Sequence, residues 1–127
     1  MDEGKNRAVV ERKWRACSHP GDWAELERLY HDDAVIEWPQ SGERIVGRDN
    51  IVAVHRNRPG GPPHQTLQRI VGSGDVWFSE QLGDYGGQVF CGSSIFELRH
   101  VKIARETDYF GEPFEPPAWR AAWVKRA

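Results

Sequence analysis

The chain has 127 residues, of which 39% are hydrophobic and 28% are charged, and its net charge is -2. This length fits one domain, and the composition is typical of a globular protein rather than a disordered one. Positive and negative residues are interspersed without a basic stripe, so a nucleic acid is not an expected partner. The apolar runs are short, and the N-terminus lacks the apolar segment of a signal peptide, so we expect no membrane partner and a cytoplasmic protein.

Cys17 and Cys91 are the two cysteines, and they lie far apart without metal-ligand spacing. Both sit in apolar patterns, which predicts buried, reduced thiols. The sequence carries no nucleotide-binding, nucleophile-elbow or metalloprotease motif. We therefore expect no cofactor and no metal, and the enzymatic class that remains is acid–base chemistry without a cofactor.

Three helices are predicted in the first half of the chain. The first spans residues 5–18, because apolar residues recur there at three- and four-residue spacing. Its predicted buried stripe consists of Val9, Val10, Lys13, Trp14 and Cys17. Asp22, followed by Glu25, predicts a capping box for a second helix from Trp23 to Tyr30. The third opens at Arg48–Asp49, with Asp49 as N-cap.

Strands account for most of the remaining chain. A short strand, Ala34–Trp38, precedes the third helix, and longer strands are predicted at Thr66–Val71, Asp75–Leu82, Gln88–Arg99 and Lys102–Phe110. Trp119 to Lys125 is predicted to form a closing helical turn. The order indicates an α+β fold, a curved mixed or antiparallel sheet wrapped over three N-terminal helices. Three short helices cannot fill a strongly curved sheet, so a central pocket is expected.

Several stretches of the sequence match one family pattern in order. They are Gly21-Asp22-Trp23, Leu29-Tyr30 with Asp32-Asp33-Ala34, Gly47-Arg48, Ile95-Phe96-Glu97-Leu98 with Lys102-Ile103, and Asp108-Tyr109-Phe110. With these, the chain resembles the SnoaL-like branch of the nuclear-transport-factor-2-like superfamily. The resemblance implies one cone-shaped domain over residues 1–127, a pocket at its wide end, and a homodimer through the outer sheet face. The tail, residues 111–127, is expected to pack on the domain or on the partner subunit.

The superfamily includes ketosteroid isomerases, epoxide hydrolases, polyketide cyclases, dehydratases and non-catalytic binding domains, so the fold alone fixes no function. In the ketosteroid isomerase pattern, Trp14 stands where a tyrosine donates to the oxyanion. Trp38 stands in the place of the base aspartate, and Ser94 falls near the partner acid. Because an indole only donates, the resemblance disfavours that reaction here.

The epoxide hydrolase pattern is also incomplete. Asp108 matches the last aspartate of an Asp-Arg-Asp triad, but Glu80 and Leu82 fall near the places of the other two members. In SnoaL-type cyclases an aspartate in the pocket acts as acid or base, and Asp108 is the nearest candidate for that role.

Strand alternation orients the candidate acids. Val76, Phe78, Glu80 and Leu82 share a face, and its three apolar members predict that this face points inward. A buried Glu80 would then need a partner such as Arg69 or a raised pKa. On the last strand, Ala104, Glu106, Asp108 and Phe110 share the face that the family pattern places inward.

The leading hypothesis is a pocket for a small hydrophobic molecule in which Glu80 and Asp108 converge and His55 relays a proton. The predicted lining residues are Trp14, Tyr30, Trp38, Phe78, Ser94, Phe96 and Phe110. The alternative is a non-catalytic binding module or a dimeric interaction domain. In that case Glu80 pairs with Arg69 as a structural ion pair, and Asp108 accepts a hydrogen bond from the backbone or a tryptophan. Trp77 is predicted on the outer sheet face, at a dimer interface.

Overall fold

Helices occupy the first part of the chain and long strands most of the rest, which confirms the predicted α+β class. The structure is a computed structural model that describes residues 2–127. Its elements in order are α1 (Glu3–Ala16), α2 (Trp23–Arg28), β1 (Tyr30–Trp38), β2 (Glu43–Val46), α3 (Arg48–Arg56), β3 (His64–Ser73), β4 (Val76–Asp84), β5 (Val89–Arg99), β6 (Lys102–Gly111) and a 3-10 helix (Ala118–Trp123). No helix within residues 2–127 is long and apolar enough to cross a lipid bilayer.

Local signals explain where the helices begin. The Asp22 side chain accepts a hydrogen bond from the Glu25 backbone N–H at 3.1 Å, so the predicted cap of α2 is confirmed. For α3 the predicted cap is wrong. The helix begins at Arg48 directly after Gly47, whose φ of 90° favours glycine, and Asp49 lies inside the first turn. The helix α2 ends before Tyr30, because Tyr30 pairs with β6 as the first residue of β1.

The six strands form one mixed sheet in the order β2-β1-β6-β5-β4-β3. The pair β1 and β6 is parallel, and every other neighbouring pair is antiparallel. On β6, Ala104 is an extra residue, because Ile103 pairs with Leu98 while Arg105 pairs with Glu97. This bulge lets Ile103 and Glu106 both point into the interior, although they are three residues apart.

The face of β4 that points inward is the opposite of the predicted one. Trp77 is 5% exposed, and Ser79 and Gln81 are buried beside it. Val76 and Phe78 lie on the outer face, each 42% exposed. The predictions that Trp77 faces outward and that Phe78 and Glu80 face the pocket are therefore wrong.

The indole of Trp77 has a specific place inside. It lies over Gly72 on β3, where an added Cβ would be 2.7 Å from the ring. Its N–H donates to the Gly74 carbonyl at 2.9 Å. Glu80 lies on the outer face, where Arg69 pairs with it at 2.6 Å. Counting the apolar residues on each face of β4 therefore gives the wrong inward face. The face that is buried contains one large ring, Trp77, and polar side chains that are hydrogen-bonded.

Of the other predictions on exposure, some are confirmed and some are wrong. Cys17 is buried as predicted, but Cys91 is exposed. Trp119 and Trp123 are 73% and 80% exposed, so they do not pack against the domain. Their packing on a partner subunit, and the homodimer itself, stay predictions.

Candidate functional site

A cavity of about 330 Å³ lies between the helices and the concave face of the sheet. Its walls come from α1, α2, α3, the loop after α3 and the strands β1, β3, β4, β5 and β6. Seven aromatic side chains line it: Trp14, Trp23, Trp38, Tyr85, Phe90, Tyr109 and Phe110. This size and this apolar character suit a small organic molecule.

The cavity gathers about half of the residues that the sequence predicts for it. Trp14, Trp38, His55, Asp108 and Phe110 all line it. They come from four different elements, which places the predicted acid, the predicted histidine and three of the predicted aromatic residues around a single space.

The remaining predicted lining residues lie elsewhere. Tyr30, Ser94 and Phe96 are fully buried and do not line the cavity. Two of them contact lining residues: Ser94 donates a hydrogen bond to Asp108, and Phe96 packs edge-on against Trp14 with ring centroids 6.2 Å apart. Glu80 is on the outer sheet face in its ion pair with Arg69, so its predicted convergence with Asp108 is wrong.

A buried cluster of titratable groups lies at the inner end of the cavity. The ammonium of Lys13 on α1 is 3.1 Å from a side-chain carboxyl oxygen of Glu106. The Tyr30 hydroxyl donates to the other oxygen of Glu106. The Lys13 ammonium also lies over the Trp14 ring, 3.4 Å from its centroid. The sequence contained a signal for this cluster, because Lys13 stands in the apolar stripe of α1 and Glu106 in the inward row of β6, and a buried charge needs a partner.

The two acids of β6 titrate in opposite directions. Burial raises the pKa of Glu106 to about 8, and the nearby charge of Asp108 adds to the effect, while Lys13 opposes it. Burial alone would also raise the pKa of Asp108. The positive charge of Lys13 and the hydrogen bonds that Asp108 accepts together hold this pKa below its ordinary value. At neutral pH, Asp108 therefore carries the negative charge and Glu106 the proton, since two neighbouring carboxyls in one buried site do not both ionise readily.

Asp108 is held by two donors. The Trp38 indole N–H donates to one carboxylate oxygen at 3.0 Å, and the Ser94 hydroxyl donates to the other at 2.7 Å. The tryptophan contact is the one that the alternative hypothesis predicts for this aspartate. The cavity thus contains a fixed negative charge whose orientation is set by β1 and β5.

One of these two donors, Ser94, is the last member of a string of hydrogen bonds. Trp14 donates to Ser79 at 3.0 Å, Ser79 to the Gln81 carbonyl oxygen at 2.8 Å, and the Gln81 amide to Ser94 at 3.1 Å. Because an indole only donates and a carboxylate only accepts, the direction of every bond in the string is fixed.

A glycine makes room for the middle of this string. A Cβ at Gly92 would lie 2.8 Å from the amide nitrogen of Gln81, so a side chain at that position would displace the amide. Sequence reasoning missed Ser79 and Gln81, because it assigned them to the outer face of β4.

His55 is a neutral histidine with one free nitrogen. Its Nδ1 lies 2.8 Å from the Ile51 carbonyl oxygen, which can only accept, so Nδ1 carries the hydrogen. Burial and the positive charge of Lys13 together lower the pKa of His55 to about 4, and burial is the larger cause. At neutral pH the ring is therefore uncharged and Nε2 presents a lone pair, with no hydrogen-bond partner within residues 2–127.

Arg58 and Tyr85 also line the cavity and stack on each other. The guanidinium carbon of Arg58 lies 3.6 Å from the centre of the Tyr85 ring. Arg58 is exposed and follows α3, in the proline- and glycine-rich loop, while Tyr85 belongs to the hairpin between β4 and β5. A cation–π contact therefore connects these two loops at the cavity wall.

Comparisons with known proteins agree on the fold and on one family. The model of the SnoaL-like domain family matches residues 10–106. An NTF-2-like protein of unknown function from Burkholderia xenovorans LB400 is 39% identical, with a TM-score of 0.85, over 98% of this chain and 96% of that one. No functionally curated protein matches the sequence.

Two further solved structures are similar. A proposed ketosteroid isomerase from Kribbella flavida DSM 17836 is 26% identical, with a TM-score of 0.90, over 100% of this chain and 93% of that one. An LEH-like epoxide hydrolase from M. tuberculosis is 22% identical, with a TM-score of 0.75, over 87% of this chain and 86% of that one. At that identity the second similarity concerns the fold alone.

Proposed function

Because the chain belongs to the SnoaL-like domain family, we propose that it binds a small, mainly hydrophobic molecule in the aromatic cavity and exchanges a proton with it without a cofactor. One observation carries the proposal. An ionised carboxylate, Asp108, and a neutral imidazole with a free lone pair, His55, line the same cavity of about 330 Å³. Such a pair has the parts that general acid–base catalysis needs.

The two groups take different roles in this proposal. His55 accepts the proton, because its Nε2 is free while both oxygens of Asp108 already accept hydrogen bonds. The charge of Asp108 favours the protonated imidazole and so stabilises it as it forms. The reaction classes that fit are isomerisation, cyclisation, dehydration and hydration, and the name of the relative from Kribbella flavida is consistent with the first.

Non-catalytic binding is the second candidate, and a specific observation favours it. Asp108 is hydrogen-bonded at both oxygens and its pKa lies below the ordinary value, so it can serve as a fixed charge that only orients a ligand. In that case the cavity binds a metabolite and transfers no proton to or from it.

The test has two steps. A panel of steroids, terpenoids and aromatic polyketides is screened by thermal shift and by NMR, and binders are expected to perturb the indole N–H signals of Trp14 and Trp38. Each binder is then incubated in D₂O, and deuterium incorporation is followed. We expect wild-type protein to accelerate incorporation, and Asp108→Asn and His55→Gln each to reduce the rate by about 10²-fold or more.

Glu80→Gln, on the outer face, is the matched control and should leave the rate unchanged. Binding without any accelerated incorporation would contradict the catalytic role and leave the binding role. A panel in which nothing binds would contradict both.

A further inference from the structure

One cation of the cavity wall has no carboxylate partner. Arg58 is exposed and lines the cavity, whereas Lys13 and Asp108 are buried at its inner end, so Arg58 marks the open end. Within residues 2–127 its guanidinium contacts the Tyr85 ring and donates to the Pro59 carbonyl at 3.2 Å, but it forms no salt bridge. The described part of the chain therefore supplies no negative charge that pairs with Arg58.

The acid that lies beside Arg58 is engaged elsewhere. Asp84 precedes Tyr85 in the sequence and lines an open groove together with Arg58, but the two side chains do not pair. One carboxylate oxygen of Asp84 instead accepts the Gly87 backbone N–H at 2.7 Å, inside the hairpin between β4 and β5. Because a guanidinium has five N–H donors, Arg58 keeps donors for an acceptor that comes from outside the protein.

The charges of the cavity lining leave Arg58 in excess. Lys13 is positive and Asp108 is negative, and the two charges interact at the inner end. Burial keeps the His55 ring uncharged at neutral pH, and burial raises the pKa of the Cys17 thiol to about 12, so neither group adds a charge. A ligand with one negative charge would therefore balance the charge of Arg58.

The contact with Tyr85 prepares Arg58 for an anion. The guanidinium carbon lies 3.6 Å from the ring centroid, so the side chain is already held in one place before a ligand binds. A guanidinium held in this way loses less conformational entropy on binding, and it can still donate two parallel hydrogen bonds to a carboxylate.

From these contacts we infer that the ligand is a hydrophobic carboxylic acid, and that Arg58 binds its carboxylate at the open end of the cavity. The inference rests on the proposed function and names the ligand class for that same cavity. The negative charge of Asp108 repels a carboxylate at the inner end, so the acid group points outward and the hydrophobic part lies among the aromatic rings. Aromatic rings can also hold an organic cation, but the positive charges of Lys13 and Arg58 oppose one.

The test compares probes that share an apolar scaffold and differ in charge. The affinities of 2-naphthoate, 2-naphthamide and 2-naphthylmethylammonium, and of adamantane-1-carboxylate and its amide, are measured by isothermal titration calorimetry on the full chain at neutral pH and low ionic strength. We expect each carboxylate to bind about tenfold more tightly than its amide, the effect of charge-assisted hydrogen bonds to an exposed arginine. In Arg58→Gln the preference should fall to about twofold or less.

Arg56→Gln is the matched control and should keep the preference, because Arg56 is an exposed arginine in the last turn of α3 that does not line the cavity. Equal binding of acid and amide, or tighter binding of the ammonium, overturns the inference while the binding function stands. A preference that persists in Arg58→Gln overturns the assignment to Arg58. If none of the five probes binds but a steroid, terpenoid or polyketide does, the inference fails alone. If no compound binds, the proposed function fails with it.

Discussion

Replacing Lys13 by methionine is expected to lower the free energy of unfolding by about 3–5 kcal/mol. The ammonium is fully buried and is the positive charge that faces the two acids of β6. Methionine keeps most of the side-chain volume but leaves Asp108 as a buried charge without a counter-charge. Urea unfolding followed by tryptophan fluorescence measures the loss.

Two further variants separate charge from packing. Lys5→Met, at an exposed position of the same helix, should change stability by less than about 0.5 kcal/mol. Combining Lys13→Met with Glu106→Gln and Asp108→Asn should recover most of the loss, because neutral groups need no counter-charge. If Lys13→Met is no more destabilised than Lys5→Met, the buried cluster does not have the energetic role assigned to it.

Trp77→Ala is expected to cost about 3–5 kcal/mol, whereas Phe78→Ala should cost less than about 1 kcal/mol. Trp77 is 5% exposed, packs over Gly72 and donates to the Gly74 carbonyl, while Phe78 is 42% exposed on the outer face. Removing the indole leaves a large cavity and takes away one of the two side-chain hydrogen bonds that the Gly74 carbonyl accepts, the other coming from Asn6. Chemical denaturation at low protein concentration compares the two variants.

The pair controls for position along the strand, because the two residues are adjacent, are both aromatic and occupy opposite faces of the sheet. Repeating the comparison at high protein concentration shows whether self-association covers Phe78. A larger loss for Phe78→Ala than for Trp77→Ala at low concentration would mean that β4 presents the opposite face to the interior.

Much of the fold follows from local sequence signals. The apolar stripe of α1, the Asp22 cap and the glycine-rich turns between strands all act over a few residues, so they can be read without tertiary knowledge. The face of β4 could not be read in this way. Its inward row contains Ser79 and Gln81, which are stable there only because Trp14, Ser94 and Asp108 complete their hydrogen bonds from other elements.

The candidate site shows the same limit. Asp108, His55 and Trp38 were predictable because the family resemblance and the helix periodicity placed them. The cluster of Lys13 with Glu106 depends on a contact between residues 93 positions apart. The sequence contained two separate signs, a cation inside an apolar stripe and Glu106 in the inward row of the last strand, but no local pattern indicated that the two residues meet.

Carbon-13 NMR titration of the side-chain carboxyl groups tests the central claim most directly, since that claim assigns one charge and one proton to the two acids of β6. Glu106→Gln and Asp108→Asn assign the signals. We expect the pKa of Asp108 to lie below the ordinary value of an aspartate and that of Glu106 to be about 8. A neutral Asp108 at neutral pH, or two acids that both titrate near their ordinary values, would contradict the account.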